Sequence, residues 1–166
     1  MKKKTRAAAN RGESVGGSLQ STVANAALLL EEAMSAADHA LSIDLRPVIA
    51  LDGELLIRRE PLPDRIRRII AEPILNIRVI QPVSRWSEYF RSAVRRMDPP
   101  RGPKAHTAAL DALIDDFTRD IENLLGTVGF AAQVETRPEG YYANIWDDFV
   151  LISHTHLARL SLTVTD

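Results

Sequence analysis

The stretch Lys104–Gly126, KAHTAALDALIDDFTRDIENLLG, carries the clearest periodic pattern in the chain. Its large apolar residues recur at steps of three and four, so they form one stripe on a helix of 3.6 residues per turn. These residues are Leu110, Leu113, Ile114, Phe117, Ile121, Leu124 and Leu125. Such a stripe needs a surface to lie on, and the flanking segments have the composition of strands. We therefore predict an α+β fold, with a mainly antiparallel sheet packed against amphipathic helices.

The segments before this helix alternate between helical and strand patterns. A helix is predicted over about Leu19–Ser42, and its Ala and Leu content on more than one side favours either a central helix or an oligomer contact. The pair Asp52-Gly53 between two apolar runs predicts a β-hairpin. A short helix over Pro63–Glu72 and a strand over Pro73–Pro82 follow.

The second half of the chain is predicted to end in strands. Ser84 is suited to cap a helix that runs to Met97, and the Pro-rich segment Asp98–Pro103 separates that helix from Lys104–Gly126. Alternating apolar residues predict strands over 132–136 and 159–165. Between them, the aromatic segment YYANIWDDFVLI is a third strand or a long hairpin arm.

Length and composition predict one folded unit. With 166 residues and 45% hydrophobic content, the chain supports one core, so we assign 19–166 to a single domain and 1–18 to a basic, flexible arm. The absence of cysteine excludes disulfides and thiolate metal sites. The longest apolar run falls short of the ~20 residues that cross a bilayer, and the start lacks the apolar core of a signal peptide. We expect a cytoplasmic chain that makes no membrane contact.

Charge is distributed unevenly along the chain, although the formal net charge is only -1. Residues 58–104 contain 12 basic and 5 acidic residues, whereas residues 105–166 contain 3 and 10. A basic middle and an acidic end can serve nucleic acid, a complementary partner surface, or internal pairing. The sequence leaves these three alternatives open.

Two clusters are candidate sites of chemistry. If the last strand extends back to His154 and His156, both imidazoles point to its apolar face and could share a metal, which would need a third ligand. The more common structural role is a pair of histidines at a frayed strand end. Asp147 and Asp148 are adjacent and would face opposite sides of a strand, so we expect them in a turn or on a solvated edge rather than in a paired-carboxylate site.

The remaining charged residues are predicted to bind a partner or solvent. Asp111 and Asp115 share a face with Arg119, which favours a solvated helix side with intrahelical ion pairs. Arginine dominates the basic middle, and its planar group suits bidentate contact with phosphate or carboxylate. The residues predicted to contact a partner are Arg65, Arg68, Arg91, Arg95, Asp115 and Glu122.

The order of elements resembles that of small phage tail-terminator and neck-type proteins. The resemblance spans about Leu19 to Asp166: an N-terminal helix, an early hairpin, amphipathic helices and a final strand pair that ends in HLARLSLTVTD. It implies subunits that join head to tail in a ring, and a virion location if the chain is phage-derived. The chain departs from that family in an extra helix around Trp86–Met97, which changes the expected subunit geometry.

The function predicted from these features is a non-catalytic interaction or assembly subunit that binds protein, including copies of itself. An alternative is a small inhibitor, such as an immunity or anti-defence protein, that blocks a partner through a charged face. Further alternatives are a nucleic-acid binder that uses Arg65, Arg68, Arg91 and Arg95, and a metal enzyme centred on His154 and His156. The common nucleotide, hydrolase, zinc-protease and calcium motifs are absent from the sequence, and we expect neither an enzyme nor a cofactor.

Overall fold

The computed structural model describes residues 6–35, 40–51, 62–70, 75–82, 85–97, 104–138 and 145–165. The helices are α1 (Arg6–Met34), α2 (Leu62–Ile70), α3 (Trp86–Met97) and α4 (Lys104–Leu125). The strands are β1 (Ala40–Ala50), β2 (Leu75–Pro82), β3 (Phe130–Pro138), β4 (Ile145–Ile152) and β5 (His156–Thr165). The helices and strands confirm the predicted α+β class.

The strands form one antiparallel sheet in the order β1-β5-β4-β3-β2. Strands β3, β4 and β5 follow one another as a meander, while β1 and β2 are added at its two sides. The last strand of the chain is therefore an inner strand. This position explains why β5 is buried along almost all of its length.

Helices cover both faces of the sheet, because alternate residues of each strand point to opposite faces. On one face, Leu160 and Leu162 of β5 join the core formed by α1, α3 and α4. On the other face, Leu157 of β5 packs with Ile66 and Ile70 of α2. The predicted packing of the sheet against Lys104–Gly126 is confirmed on the first face.

The stripe that predicted α4 forms the centre of this first core. Leu110, Ile114, Phe117, Ile121 and Leu125 are all fully or almost fully buried. The ring centroids of Phe117 and of Phe90 on α3 lie 5.2 Å apart. The helix ends at Leu125 and is followed by Gly126, whose φ of 83° is the left-handed conformation that closes many helices.

The first helix ends earlier than the sequence predicts. Residues 40–42, which we placed in a helix over Leu19–Ser42, belong to β1. There, buried Leu41 and Ile43 alternate with Ser42 and Asp44, a strand period that the Ala-rich run before it obscures. At its other end, α1 begins at Arg6, inside the segment predicted to be an arm. The predicted hairpin turn at Asp52-Gly53 lies outside the described residues.

The prediction that Asp147 and Asp148 lie in a turn or on a solvated edge is wrong. Both lie within β4, an inner strand, with Asp147 on the α3 side and Asp148 on the opposite side. Aromatic and β-branched neighbours hold the segment in the sheet despite its two charges. Their expected separation onto opposite faces is found.

Candidate functional site

Two of the arginines predicted to meet a partner form ion pairs within the fold. Arg91 on α3 pairs with Asp115 on α4. One turn further along α3, Arg95 donates to both carboxylate oxygens of Asp111, at 2.8 and 2.7 Å. We call these four residues the α3–α4 seam. The seam shows that internal pairing accounts for part of the charge asymmetry, and it replaces the intrahelical pairs expected for Asp111 and Asp115.

Glu122, another predicted contact residue, is also engaged inside the fold. Its Oε1 accepts a hydrogen bond of 3.1 Å from the indole Nε1 of Trp86, which is buried. The carboxylate thereby satisfies a donor that would otherwise be lost to solvent when α3 packs on α4. Glu122 has a structural role at the start of α3.

The predicted arginine set is divided between the two sides of the sheet. Arg65 and Arg68 lie on α2, whereas Arg91 and Arg95 lie on α3. These helices pack on opposite faces of the sheet, since α2 meets Val150 of β4 and α3 belongs to the core that contains Phe149. The four arginines therefore belong to helices on opposite faces of the sheet and not to one binding face.

A closed polar network joins α3 to the sheet. Arg96 pairs with Asp147 at 2.7 Å, Gln133 donates to the other oxygen of Asp147 at 2.7 Å, and Tyr89 donates to Gln133 at 2.7 Å. The guanidinium of Arg96 lies 5.6 Å from the centre of the Tyr89 ring, which closes the circuit. The mutual satisfaction of these groups favours a structural role that fixes α3 on β3 and β4.

On the opposite face, three polar residues of β4 and β5 are buried. Asp148 is 1% exposed and pairs in register with Ser161, while Arg159 is next but one along β5. The hydroxyl of Ser161 has no hydrogen-bond partner among the described residues. His156 does not complete a serine-histidine-aspartate arrangement here, because it shares the side of Ala158 on the other face.

The predicted histidine pair is separated by the end of a strand. β5 begins at His156, while His154 is exposed in the turn before it. His156 Nδ1 lies 2.8 Å from Thr155 Oγ1 and 3.4 Å from the Leu125 carbonyl oxygen at the end of α4. Within the described part of the chain, no group of three or more His, Asp or Glu side chains could hold a metal ion.

A cleft with a volume of about 590 Å³ lies between α1 and β1. Its walls are α1 and β1, and Phe117 and Leu124 of α4 contribute to its lining. Val23, Ala27, Ile43, Leu45 and Val48 give it a mainly apolar floor. This volume lies within the range of about 300–1,000 Å³ that is common for binding sites. We call it the α1–β1 cleft.

Polar groups lie at the rim of the α1–β1 cleft. Glu31 of α1 accepts a hydrogen bond of 2.5 Å from the backbone N–H of Ile43, and so satisfies a donor on β1 that does not pair with β5. Asp44 and Arg46 of β1 form a bidentate pair with each other at 2.6 and 3.0 Å. Glu31 forms no ion pair among the described residues.

Two large apolar side chains of α1 remain exposed, and one of them belongs to this cleft. Leu28, which lines it, is 54% exposed, and Leu29 is 52% exposed. Both lie off the buried stripe Val23, Ala27, Leu30 and Met34, and neither is among the residues predicted to contact a partner. The sequence does indicate their position, because two leucines outside a complete stripe at three- and four-residue spacing lie on another side of the helix. An exposed leucine that continues an apolar cleft, as Leu28 does, indicates a contact surface.

Comparison with known proteins does not indicate a function. No family model matches the chain, and no curated protein or solved structure matches it either. Among the described residues, no helix has the length and apolar character needed to cross a membrane. The α1–β1 cleft with Leu28 is the candidate functional site.

Proposed function

We propose that this chain is a non-catalytic assembly subunit that binds protein through α1 and the α1–β1 cleft. The observation that carries the proposal is the apolar floor of the cleft, which continues onto the exposed Leu28. Water-exposed apolar surface of this kind gains free energy when a partner covers it, at about 25 cal/mol per Å². The resemblance to tail-terminator proteins, if it extends to function, places that contact in a ring and the subunit in a virion.

Features of the other clusters support a binding role rather than a chemical one. The seam, the Tyr89–Arg96 network and the Ser153–His156 turn are occupied by contacts that hold elements together. The α1–β1 cleft offers apolar surface and no group of acid, base and nucleophile. Such a surface is suited to recognition by shape and burial.

The proposal is tested by the absolute mass of the purified chain in light scattering, at low and at high salt. We expect a mass of at least two chains, in whole-number multiples of 18.4 kDa. Leu28→Glu should reduce the mass to that of one chain, because a carboxylate in an apolar contact must be desolvated. Ala108→Glu, which places the same charge at an exposed position of α4, is the matched control and should leave the mass unchanged. A single-chain mass for the unaltered protein would contradict the proposal.

The inhibitor alternative has one supporting observation. The seam residues remain partly exposed, with 48% of the Arg95 side chain and 56% of the Asp115 side chain accessible. A charged partner could therefore compete for them. In the same light-scattering experiment, a monomer that forms a one-to-one complex through the seam would favour this alternative, and co-eluting nucleic acid, read from the 260/280 nm absorbance ratio, would favour an arginine face.

A further inference from the structure

Small residues of α1 help to keep the α1–β1 cleft open. Ala24 and Ala27 both line it, and each projects only a methyl group toward the space in front of β1. The opposite wall is irregular, because the pairing of β1 with β5 shifts register between Leu45 and Val48, which also line the cleft. An irregular strand that faces short side chains leaves volume that the core of the chain does not fill. The cleft is therefore formed by one chain and needs no second copy.

The deep part of the α1–β1 cleft is apolar. Phe117 is fully buried, and Val23 and Ile43 are almost fully buried. The exposed Leu28 extends this apolar lining to the surface of the protein. An apolar group that enters such a cleft is removed from water together with the wall that it covers, which is favourable. This part of the cleft suits the apolar body of a ligand.

The charged groups of the cleft disfavour an anionic ligand. The lining contains two carboxylates and one guanidinium, from Glu31, Asp44 and Arg46. Asp44 and Arg46 form a bidentate pair at 2.6 and 3.0 Å, and the Arg46 side chain is 81% exposed. An anion would have to compete with Asp44 for a guanidinium that lies largely in solvent. The lining therefore has a net negative charge, to which Glu31 contributes most directly.

Glu31 is oriented by the fold for contact with a cation. Its Oε1 accepts the backbone N–H of Ile43 at 2.5 Å, which holds the carboxylate beside β1. Glu31 also lies in the last turn of α1, which contains no basic residue. The C-terminal end of a helix carries partial negative charge, which adds to the charge of the carboxylate. Both features favour a cation at this point of the lining.

We propose that the α1–β1 cleft binds a small amphiphilic cation, a primary amine with an alkyl or aromatic body. The body lies on Val23, Ile43 and Phe117, and the ammonium group donates to the Glu31 carboxylate. The inference uses the cleft of the proposed function but does not depend on assembly, because every group that it invokes belongs to one chain. A bound amine covers part of the surface offered to a protein partner, so the amine and the partner compete.

The test is a titration of the full chain with n-octylammonium, n-octanol and n-octanoate, followed by two-dimensional amide NMR. The probes share one apolar chain and differ in the head group. We expect octylammonium to shift amide signals of α1 and β1, with a Kd about three- to fivefold lower than that of octanol, the range of a single partly exposed ion pair. Octanoate should bind more weakly than octanol. Equal Kd values for the three probes, or no shifts in α1 and β1, would overturn the proposal.

The charge requirement is tested with two matched variants. Glu31→Gln keeps an oxygen for the Ile43 N–H but removes the charge, and Glu32→Gln makes the same change on an exposed neighbour. We expect Glu31→Gln to abolish the advantage of octylammonium over octanol and Glu32→Gln to preserve it. The same effect from both changes would refute the role of Glu31.

The position of the ligand is tested by filling the cleft. Ala24→Leu adds bulk to the wall without entering the core, since Ala24 is exposed, and Ala112→Leu makes the same change at an exposed position of α4. We expect Ala24→Leu to weaken octylammonium binding at least about tenfold and Ala112→Leu to leave it unchanged, with both variants folded by circular dichroism. Unchanged binding by Ala24→Leu would show that the amine binds elsewhere.

Light scattering at saturating octylammonium separates this inference from the proposed function. We expect the mass to fall toward that of one chain as the amine displaces the partner copy. Octylammonium binding by a protein that is a single chain throughout would support this inference and contradict assembly. A multimer that binds no octylammonium would reject this inference and leave the assembly function standing, and a multimer that binds it with unchanged mass would refute the competition.

Discussion

At the scale of single residues, Ser153 joins the β4–β5 turn to the end of α4. Its Oγ donates to the carbonyl oxygen of Leu125 and accepts the N–H groups of Thr155 and His156, at 3.2 and 3.0 Å. The residue is 4% exposed, so water cannot replace these bonds. The last turn of a helix leaves carbonyls without partners, and Ser153 satisfies that of Leu125 together with Thr155, whose Oγ1 donates to the same oxygen at 3.1 Å.

Replacement of this hydroxyl should cost stability. Ser153→Ala leaves a buried carbonyl and two N–H groups without this partner, and we expect the free energy of unfolding to fall by about 1–3 kcal/mol. Urea denaturation followed by circular dichroism measures the change. Ser92→Ala, at an exposed position of α3, is the control and should alter stability by no more than about 0.5 kcal/mol. Equal losses in the two variants would contradict the role of Ser153.

Gly126 carries the conformational constraint at the end of α4. Its φ of 83° disfavours a side chain, although an added Cβ would meet Ser153 Oγ and Thr155 Oγ1 only at 3.8 Å. Gly126→Ala should therefore lower stability by about 1–2 kcal/mol through backbone strain and not through a clash. Gly129→Ala, which has open space and no such φ, should be neutral or slightly stabilising in the same denaturation experiment. A neutral Gly126→Ala would show that α4 can end differently.

At the scale of elements, α3 is held mainly by apolar contacts and only weakly by its charges. Phe90, Ala93 and Val94 are fully buried, whereas the seam pairs lie at the surface. Surface ion pairs contribute about 0–1 kcal/mol each and weaken in salt. Loss of a buried aromatic side chain costs about 3–5 kcal/mol. The seam is expected to set the orientation of α3 on α4 more than its stability.

This balance predicts a large difference between two kinds of variant. Phe90→Ala should destabilise the protein by about 3–5 kcal/mol at any salt concentration. The double variant Asp111→Asn/Asp115→Asn should cost about 1–2 kcal/mol at low ionic strength, and most of that cost should vanish near 1 M salt. Chemical denaturation with urea at both salt concentrations distinguishes the two. A seam variant as damaging as Phe90→Ala would indicate that the ion pairs hold α3.

At the scale of the whole molecule, the sheet couples two cores that lie on its opposite faces. Trp86 reports on the core formed by α1, α3 and α4, and it is buried, while Trp146 lies on β4 and is 37% exposed. Because β4 and β5 contribute side chains to both cores, neither face can lose its packing alone. Chains of this size with a shared sheet generally unfold as one unit.

We therefore expect one cooperative transition. Two single-tryptophan proteins, Trp146→Phe and Trp86→Phe, should each give a fluorescence transition that coincides with the loss of far-ultraviolet circular dichroism. The measurement is made on the same urea series. Fluorescence and circular dichroism midpoints that differ within either variant would show that the two faces unfold independently, against this expectation.

Much of this architecture follows from local pattern, because period and turn chemistry are local properties. The stripe of α4, the short helix before β2 and the alternation in β5 predict their elements to within a few residues. The pairing of strands depends on contacts far apart in the chain, so the inner position of β5 and the burial of Asp148 could not be read from periodicity. The same limit applies to the seam, since the spacing of Arg91 and Arg95 does not reveal that α4 supplies their partners.

The candidate site was only partly predictable for a related reason. The sequence favours either a central helix or an oligomer contact for the first helix. The α1–β1 cleft, in contrast, arises where Ile43 and Val48 meet Val23 and Ala27 across two elements. Partner-binding roles remain predictions for Arg65, Arg68, Arg91, Arg95, Asp115 and Glu122. Three of them, Arg91, Arg95 and Asp115, form ion pairs between α3 and α4. Glu122 accepts a hydrogen bond from Trp86.

The most direct test of the central claim is photo-crosslinking from the α1–β1 cleft in the cell that produces the protein. A photoreactive phenylalanine analogue replaces Leu28 in the full chain, and the same analogue at the exposed Ala108 is the control. We predict one discrete adduct from position 28, at twice the 18.4 kDa of the chain, and none from position 108. No adduct from position 28, or the same adducts from both positions, would contradict a binding role for the cleft.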